Sequence, residues 1–279
     1  MDKNGHFYGL NAVTQNMIIY NRRDSVLPNG LIVGQSGRGK SYFAKGEIIP
    51  NLLDTEDDII IMDPDGEYVE IAKRFGGEVI KLAQKAEYHI NPLDMDINYA
   101  ASNNDDPVAM KSDYLVSLCE TVTRKTGGLT PYEVNTIQKA TAIIYEDYMK
   151  HMEEVIKNDP TKTIDLDASP NLVTFYDALL NMDGPEAHQL AMNMEPYCVG
   201  NYNMFAHRTN IDPKSRLIVY DLRSMPKNMK EFSMMVCLSD IWNRIVRNKD
   251  EHSNKATWVY LDEFYLMVQT ESSAVMLQE

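Results

Sequence analysis

The chain has 279 residues, enough for one large domain with an insertion or two small ones, and enough to bury a sizeable core. With 44% hydrophobic and 24% charged residues and no low-complexity tract, its composition is that of a folded globular protein. A formal charge of −14, with acidic residues spread along the chain, announces no basic surface for a nucleic-acid partner and weakens the case for tight DNA binding, while leaving room for a local basic loop.

Residues 7–10 and 17–20 are short apolar stretches separated by Thr14-Gln15-Asn16, the pattern of a hairpin leading into the core. Pro28-Asn29-Gly30 marks a turn. Leu31, Ile32 and Val33 form a predicted buried strand that runs into glycine, and residues 41–53 a helix that Pro50 bends or ends. Residues 58–62 read as a second buried strand, 67–75 as a helix stopped by Gly76-Gly77, and 78–82 as a third strand. Strands alternating with helices in this way build a parallel sheet covered on both faces.

From about residue 100 to 200 the pattern is helical. Thr130-Pro131-Tyr132-Glu133 combines an N-cap threonine, proline at the first helical position and a glutamate placed to return the capping hydrogen bond, which predicts a helix running to about Ile156. A less complete start signal lies at Thr174 with Asp177. The sheet resumes at 216–221, and a helix over about 230–247 carries Phe232, Met235, Leu238, Trp242 and Ile245 at core-packing spacing. Residues 257–261 are the last predicted strand, ending in Asp262-Glu263. The division expected is 1–98 as the first part of an α/β core, 99–204 as a mainly helical insertion and 205–279 as the second part of the core.

Cys119, Cys198 and Cys237 are far apart in apolar helical surroundings with no CxxC spacing, so reduced, buried thiols are expected rather than a zinc site or disulfides. The N-terminus lacks a signal-type apolar segment and the longest apolar runs are strand length, which predicts a cytoplasmic chain without membrane insertion.

Gly34-Gln35-Ser36-Gly37-Arg38-Gly39-Lys40-Ser41 fits G-x-x-x-x-G-K-[ST] between a predicted strand and helix, the signature of a phosphate-binding loop. Its glycines let successive backbone N–H groups turn toward a phosphate, and the following helix adds its positive dipole end. The predicted ATP-binding residues are Gly34, Gln35, Ser36, Gly37, Arg38, Gly39, Lys40, Ser41 and Tyr42. Lys40 is expected to reach the β- and γ-phosphates and Ser41 to give a hydroxyl to Mg2+.

The second half of such a site is Trp258-Val259-Tyr260-Leu261-Asp262-Glu263, an apolar strand ending in two carboxylates. Asp262 is expected to hold Mg2+ through water and Glu263 to orient or deprotonate an attacking water, so Lys40 and Glu263 are the expected catalytic residues and Ser41 and Asp262 the metal-binding ones. Asp63-Pro64-Asp65-Gly66-Glu67-Tyr68 follows another buried strand. Its carboxylates either face the same crevice or serve a turn with Asp65-Gly66 at its corner and Glu67 in the first helical turn. For Arg208, Arg216 and Arg223 a surface or ion-pair role is expected ahead of a reach to a neighbouring subunit's nucleotide.

These motifs occur in an order that resembles a known family. The matching stretches are Tyr8-Gly9-x-Asn11, the loop at 34–41, Asp63-Pro64-x-x-Glu67-Tyr68, Ile90-Asn91-Pro92-Leu93 and Leu129-Thr130-Pro131-x-Glu133, then Phe205-Ala206-His207-Arg208-Thr209-Asn210, 216–221, Ile241-Trp242-Asn243-Arg244 and Leu261-Asp262-Glu263-Phe264. Together they resemble the C-terminal ATPase domain of the conjugative-transfer ATPases that energise type IV secretion, in the form carried by Gram-positive conjugative elements, within the RecA-like motors of the HerA and FtsK group.

The resemblance implies a RecA-like P-loop NTPase core with a mainly parallel sheet, an N-terminal hairpin and an α-helical insertion, hydrolysing ATP with Mg2+. It further implies a homo-hexamer working with a type IV secretion channel and coupling proteins at the inner face of the cell membrane. DNA is a possible partner that the charge does not indicate. Family members continue past the Asp262 strand with a sensor strand that lies between it and the loop strand, so the chain is expected to be a fragment or a truncated reading frame missing C-terminal strands. Two alternatives stand beside the motor: a DNA-translocating ATPase of the HerA or coupling-protein type, and a fragment that binds nucleotide or a partner without turnover.

Overall fold

The computed structural model describes residues 5–35, 37–100, 106–123, 127–251 and 255–267; Ser36 of the glycine loop and the stretch 268–279 lie outside them. His6–Leu10 (β1) and Met17–Tyr20 (β2) form the expected antiparallel hairpin, irregular at Phe7/Gly9. Asn11 closes its loop by accepting the N–H groups of Val13 and Thr14 at 2.9 Å each. The hairpin is a separate two-stranded sheet, not a leader into the core. It docks on helix α1 (Lys40–Asp54) through polar contacts: Tyr8 donates to Glu47 at 2.6 Å, and Arg22 pairs with the same carboxylate at 2.6 Å. Helix α1 runs straight through Pro50, so the proline does not end it; Gly46, four residues earlier, is the position whose carbonyl the proline cannot bond.

The main sheet contains β3 (Asp58–Asp63), β4 (Glu78–Lys81), β5 (Leu217–Asp221) and β6 (Thr257–Leu261) in the order β4-β5-β3-β6, all parallel. Both faces are apolar, as a parallel sheet with crossovers on each side requires. Ile59, Ile61, Leu217 and Val219 pack with α1 and the short helix α2 (Val69–Arg74), while Ile60, Met62, Ile218 and Tyr220 face the larger core. Arg216 locks the α1 end to the sheet, its guanidinium donating to the carbonyls of Thr55 at 2.9 Å, Asp57 at 3.2 Å and Leu52. Asp57, 2% exposed, positions the start of β6 by accepting from Ala256 N–H at 3.1 Å and the Trp258 indole at 2.9 Å.

Residues 31–33 depart from expectation. They are not a buried strand: Leu31 is 75% and Val33 81% exposed, and β6 is the outermost strand on that side among the described residues. An apolar tripeptide becomes a strand only when a neighbour takes its backbone groups. The intervening strand anticipated from the family resemblance is not among the described residues, so 31–33 has nothing to pair with there.

Between β4 and β5 lie α3 (Pro107–Thr123), α4 (Pro131–Asn158), α5 (Leu172–Leu180) and α6 (Pro185–Cys198). The α4 start is as expected, with a reciprocal Thr130–Glu133 capping box. The next start is corrected. Asn171, not Thr174, caps α5, and Thr174 closes the box from its third position. These helices share one continuous core with the sheet and with α7 (Lys230–Glu251). The loop of Asn91 and Asp94 is the staple: Tyr145 and Tyr148 of α4 donate to the Leu93 and Met95 carbonyls at 2.5 and 2.8 Å, and Asn91 bonds Asp94 and the Pro170 carbonyl at 2.8 Å each. All three cysteines are buried and free, in agreement with the sequence reading.

A fully buried charge joins α3 to α7. The Lys111 ammonium donates to Ser239 at 2.8 Å beside the carboxylates of Asp94 and Asp240. Burial pulls Lys111 down to about 7 from 10.5, against the attraction of the two acids. Between those values the unfolded chain holds a proton that the folded chain has released, so stability rises as pH climbs through that window. Urea melts at pH 7 to 10 are expected to show wild type gaining stability relative to Lys111→Met, whose difference from wild type would otherwise stay constant.

Candidate nucleotide site

The glycine loop crosses from the exposed 31–33 segment into α1. Gly37 and Gly39 have φ of +73° and +90°, the left-handed conformation that curls the loop, and a Cβ added at either meets nothing within 4 Å. The space in front of the loop is therefore open to an anion. Gly39 is the N-cap of α1 and, having no side chain, makes no side-chain cap to the N–H groups of the first turn. The Arg38 N–H bonds the Gln35 carbonyl at 3.2 Å, and the Lys40 ammonium folds back over the loop to the Gly34 carbonyl at 3.2 Å. Gln35, Arg38 and Tyr42 project to solvent, Tyr42 being 84% exposed. This geometry fits a polyphosphate: left-handed glycines at Gly37 and Gly39, open space beside both, and the Lys40 ammonium at the Gly34 carbonyl.

The opposite wall is the carboxyl end of β6. Asp262 accepts the Glu263 N–H at 3.0 Å, and Glu263 sits at φ +50°, one of two described non-glycine residues with positive φ. Left-handed backbone at a residue with a side chain costs about 1–2 kcal/mol. Here it ends the alternation of the extended strand between two adjacent carboxylates. Burial raises the Asp262 carboxyl above its ordinary range; the Glu263 N–H opposes this, and the negative charges of Glu263, Glu67 and Asp63 add to it. A divalent cation would relieve that repulsion, so the residues suit a metal that arrives with the nucleotide. Among the described residues no group of three acidic, histidine or cysteine ligands forms a metal site by itself.

The Asp63 motif divides between its two readings. Asp63, fully buried, serves the turn, its carboxylate accepting N–H groups from Gly66 at 2.7 Å, Glu67 at 2.9 Å and Tyr68 at 2.8 Å. Glu67 is exposed, and its charge acts on Asp262. Tyr68, quoted in the sequence motif but given no role there, is buried in the core with α1 and α2; burial raises its phenol above the ordinary range and the Asp262 charge adds to that. Its position after a carboxylate-capped turn was the available signal; its packing with α1 and α2 is tertiary.

The three arginines have local partners. Arg208 pairs with Asp167 at 3.1 Å, Arg216 holds the α1 carbonyls, and Arg223 pairs with the buried Asp221 at 2.7 Å while packing over Gly66.

A parallel sheet with a glycine loop entering α1 and carboxylates at the end of an outer strand defines an α/β ATPase domain of the phosphate-loop class. The chain belongs to the family described as "Helicase HerA, central domain", whose model matches residues 29–198. The solved structure of VirB4 of Thermoanaerobacter pseudethanolicus is similar in fold, with a TM-score of 0.67 and 22% identity over 84% of this chain and 84% of that one. No curated protein matches the chain.

Asp63→Asn replaces two acceptor oxygens by one and leaves at least one buried N–H of the 66–68 turn without a partner, at a cost of about 1–3 kcal/mol. Equilibrium urea unfolding is expected to show that loss, whereas Asp65→Asn, at the exposed corner, is expected to leave stability close to wild type.

Proposed function

We propose that the chain is the nucleotide-hydrolysing part of a secretion motor: it binds ATP with Mg2+ at Gly34, Gln35, Ser36, Gly37, Arg38, Gly39, Lys40, Ser41 and Tyr42 and hydrolyses it to energise conjugative transfer through a type IV secretion channel. The observation that supports this reading is the left-handed glycine loop capping α1, together with a strand end bearing Asp262 and Glu263. Family membership and the VirB4-like fold support the motor class.

In this reading Lys40 leaves the Gly34 carbonyl to hold the β- and γ-phosphates, and the loop N–H groups hold the β-phosphate. Ser41 and Asp262 hold Mg2+, which supplies charge neutralisation between the phosphates. Glu263 holds a water in line with the γ-phosphate and takes its proton. Residues 1–98 and 205–279 are the two parts of the motor core and 99–204 its insertion. The working form is a homo-hexamer on the cytoplasmic face of the membrane, docked to the secretion channel and coupling proteins. Among the described residues no helix is long and apolar enough to cross a membrane.

A second reading, a DNA-translocating ATPase, is favoured by the helicase description of the matched family. The charge of −14 opposes it, because DNA grip depends on clustered cations.

The full chain is expected to turn over ATP only with Mg2+, and Lys40→Ala or Glu263→Gln to lower turnover at least about 100-fold. Unchanged activity in the double variant would reject the proposal. Turnover insensitive to added duplex or single-stranded DNA separates the secretion motor from the translocase, which requires salt-sensitive DNA stimulation.

A further inference from the structure

The sheet does not fix the start of the glycine loop. Residues 31–33 pair with no strand among the described residues, and Leu31 and Val33 are exposed, so the backbone leading into Gly34 needs another hold. Arg22, which follows β2, supplies one. Its guanidinium donates from Nη1 to the Pro28 carbonyl at 3.3 Å, from Nη2 to the Glu47 carboxylate at 2.6 Å and from Nε to the Tyr8 hydroxyl at 3.4 Å. The chain passes directly against it at Gly30, where a Cβ would collide with Nη1.

Glu47 is the far anchor. It stands about two turns beyond Lys40 in α1, and its Oε1 accepts the Tyr8 hydroxyl at 2.6 Å as well as the guanidinium. The Tyr8 ring lies 6.1 Å from that of Phe43, whose N–H bonds the Gly39 carbonyl at 2.9 Å where the loop becomes helix. One side chain therefore spans the glycine loop: one arm holds the chain ahead of Gly34, another the helix that follows Ser41. Arginine suits this task because its planar fork fixes several donor directions at once, whereas a lysine ammonium is a compact charge that can keep Glu47 only by releasing Pro28.

We infer that Arg22 is a positioning residue for the nucleotide site: by bridging the Pro28 carbonyl and Glu47 it holds the two ends of the glycine loop in register before a polyphosphate arrives. This rests on the nucleotide reading of the loop and adds to it a hold that the sheet does not supply. A loop held in advance has less to order on binding, and a loop that wanders binds only in proportion to its competent fraction.

The test follows ADP carrying a fluorescent methylanthraniloyl group, with Mg2+, by stopped flow on the full chain, with urea melts alongside. Arg22→Lys keeps the charge opposite Glu47 and removes the fork. It is expected to slow association, and so weaken affinity, about three- to ten-fold, the scale of one or two groups left to order, with dissociation unchanged. Glu47→Gln is expected to bring a similar loss, and combining the two to add little, because both cut the same bridge. Tyr8→Phe loosens the hairpin but leaves both arms of the bridge, and is expected to lower stability while association stays at the wild-type rate. If Arg22 served only to dock the hairpin, Arg22→Lys would follow Tyr8→Phe, losing stability without slowing association. Wild-type association in Arg22→Lys, or additive losses with Glu47→Gln, overturns this inference alone. A wild-type chain that binds no labelled ADP overturns the nucleotide reading together with it.

Discussion

The glycine-loop end of this protein, its candidate nucleotide site, depends on one buried carboxylate. Asp63 terminates the strand that lies inside the sheet between β5 and β6, and it accepts three consecutive backbone N–H groups from residues 66–68. A carboxylate removed from water is costly unless hydrogen bonds replace its hydration. Here burial still pushes its proton affinity up, while the three N–H groups work against that rise. Satisfying the charge and folding the turn are one event. The turn places Tyr68 in the core shared by α1, α2 and the sheet and leaves Glu67 exposed, its charge acting on Asp262.

The same economy of partners holds the rest of the molecule. Several buried polar groups join elements that sequence distance keeps far apart. Arg216, just before β5, closes the end of α1, and Asp57 organises the start of β6. Lys111 in the helical region meets Ser239 on α7 beside Asp94 and Asp240, and Asp240 in turn accepts the Tyr220 hydroxyl from β5. The helices between β4 and β5 therefore share a core and a charge cluster with the sheet, and their movement would have to break or shift that cluster.

The other side of the sheet is less finished. The polar contacts of the β1–β2 hairpin with α1 stand beside an outer strand, β6, whose residues are all only partly buried, and beside a loop segment with Leu31 and Val33 exposed. A nucleotide site built there has one wall of fully packed turn and one wall of open strand end. The strained Glu263 backbone lies on the open wall, where left-handed geometry is held by the local bond from its own N–H to Asp262.

Much of this was legible in the chain. The short continuous apolar runs of β3, β5 and β6, the capping box at Thr130 and the glycine loop depend on local chemistry, so their places followed from residue type and spacing. Family resemblance extended the same reading to the parallel α/β core. Tertiary structure decided what local pattern cannot encode. Leu31, Ile32 and Val33 have the composition of a strand, but a strand exists only where another supplies hydrogen-bond partners, and no such neighbour stands among the described residues. Asn171 rather than Thr174 caps α5, Asn171 accepting the Val173 and Thr174 N–H groups and Thr174 accepting the Asn171 N–H in return. The Asp63 motif was ambiguous until the fold showed which acid faces inward to the turn and packed Tyr68 into the core. Those positions are set by elements packing across the sheet, and no spacing within the motif contains them.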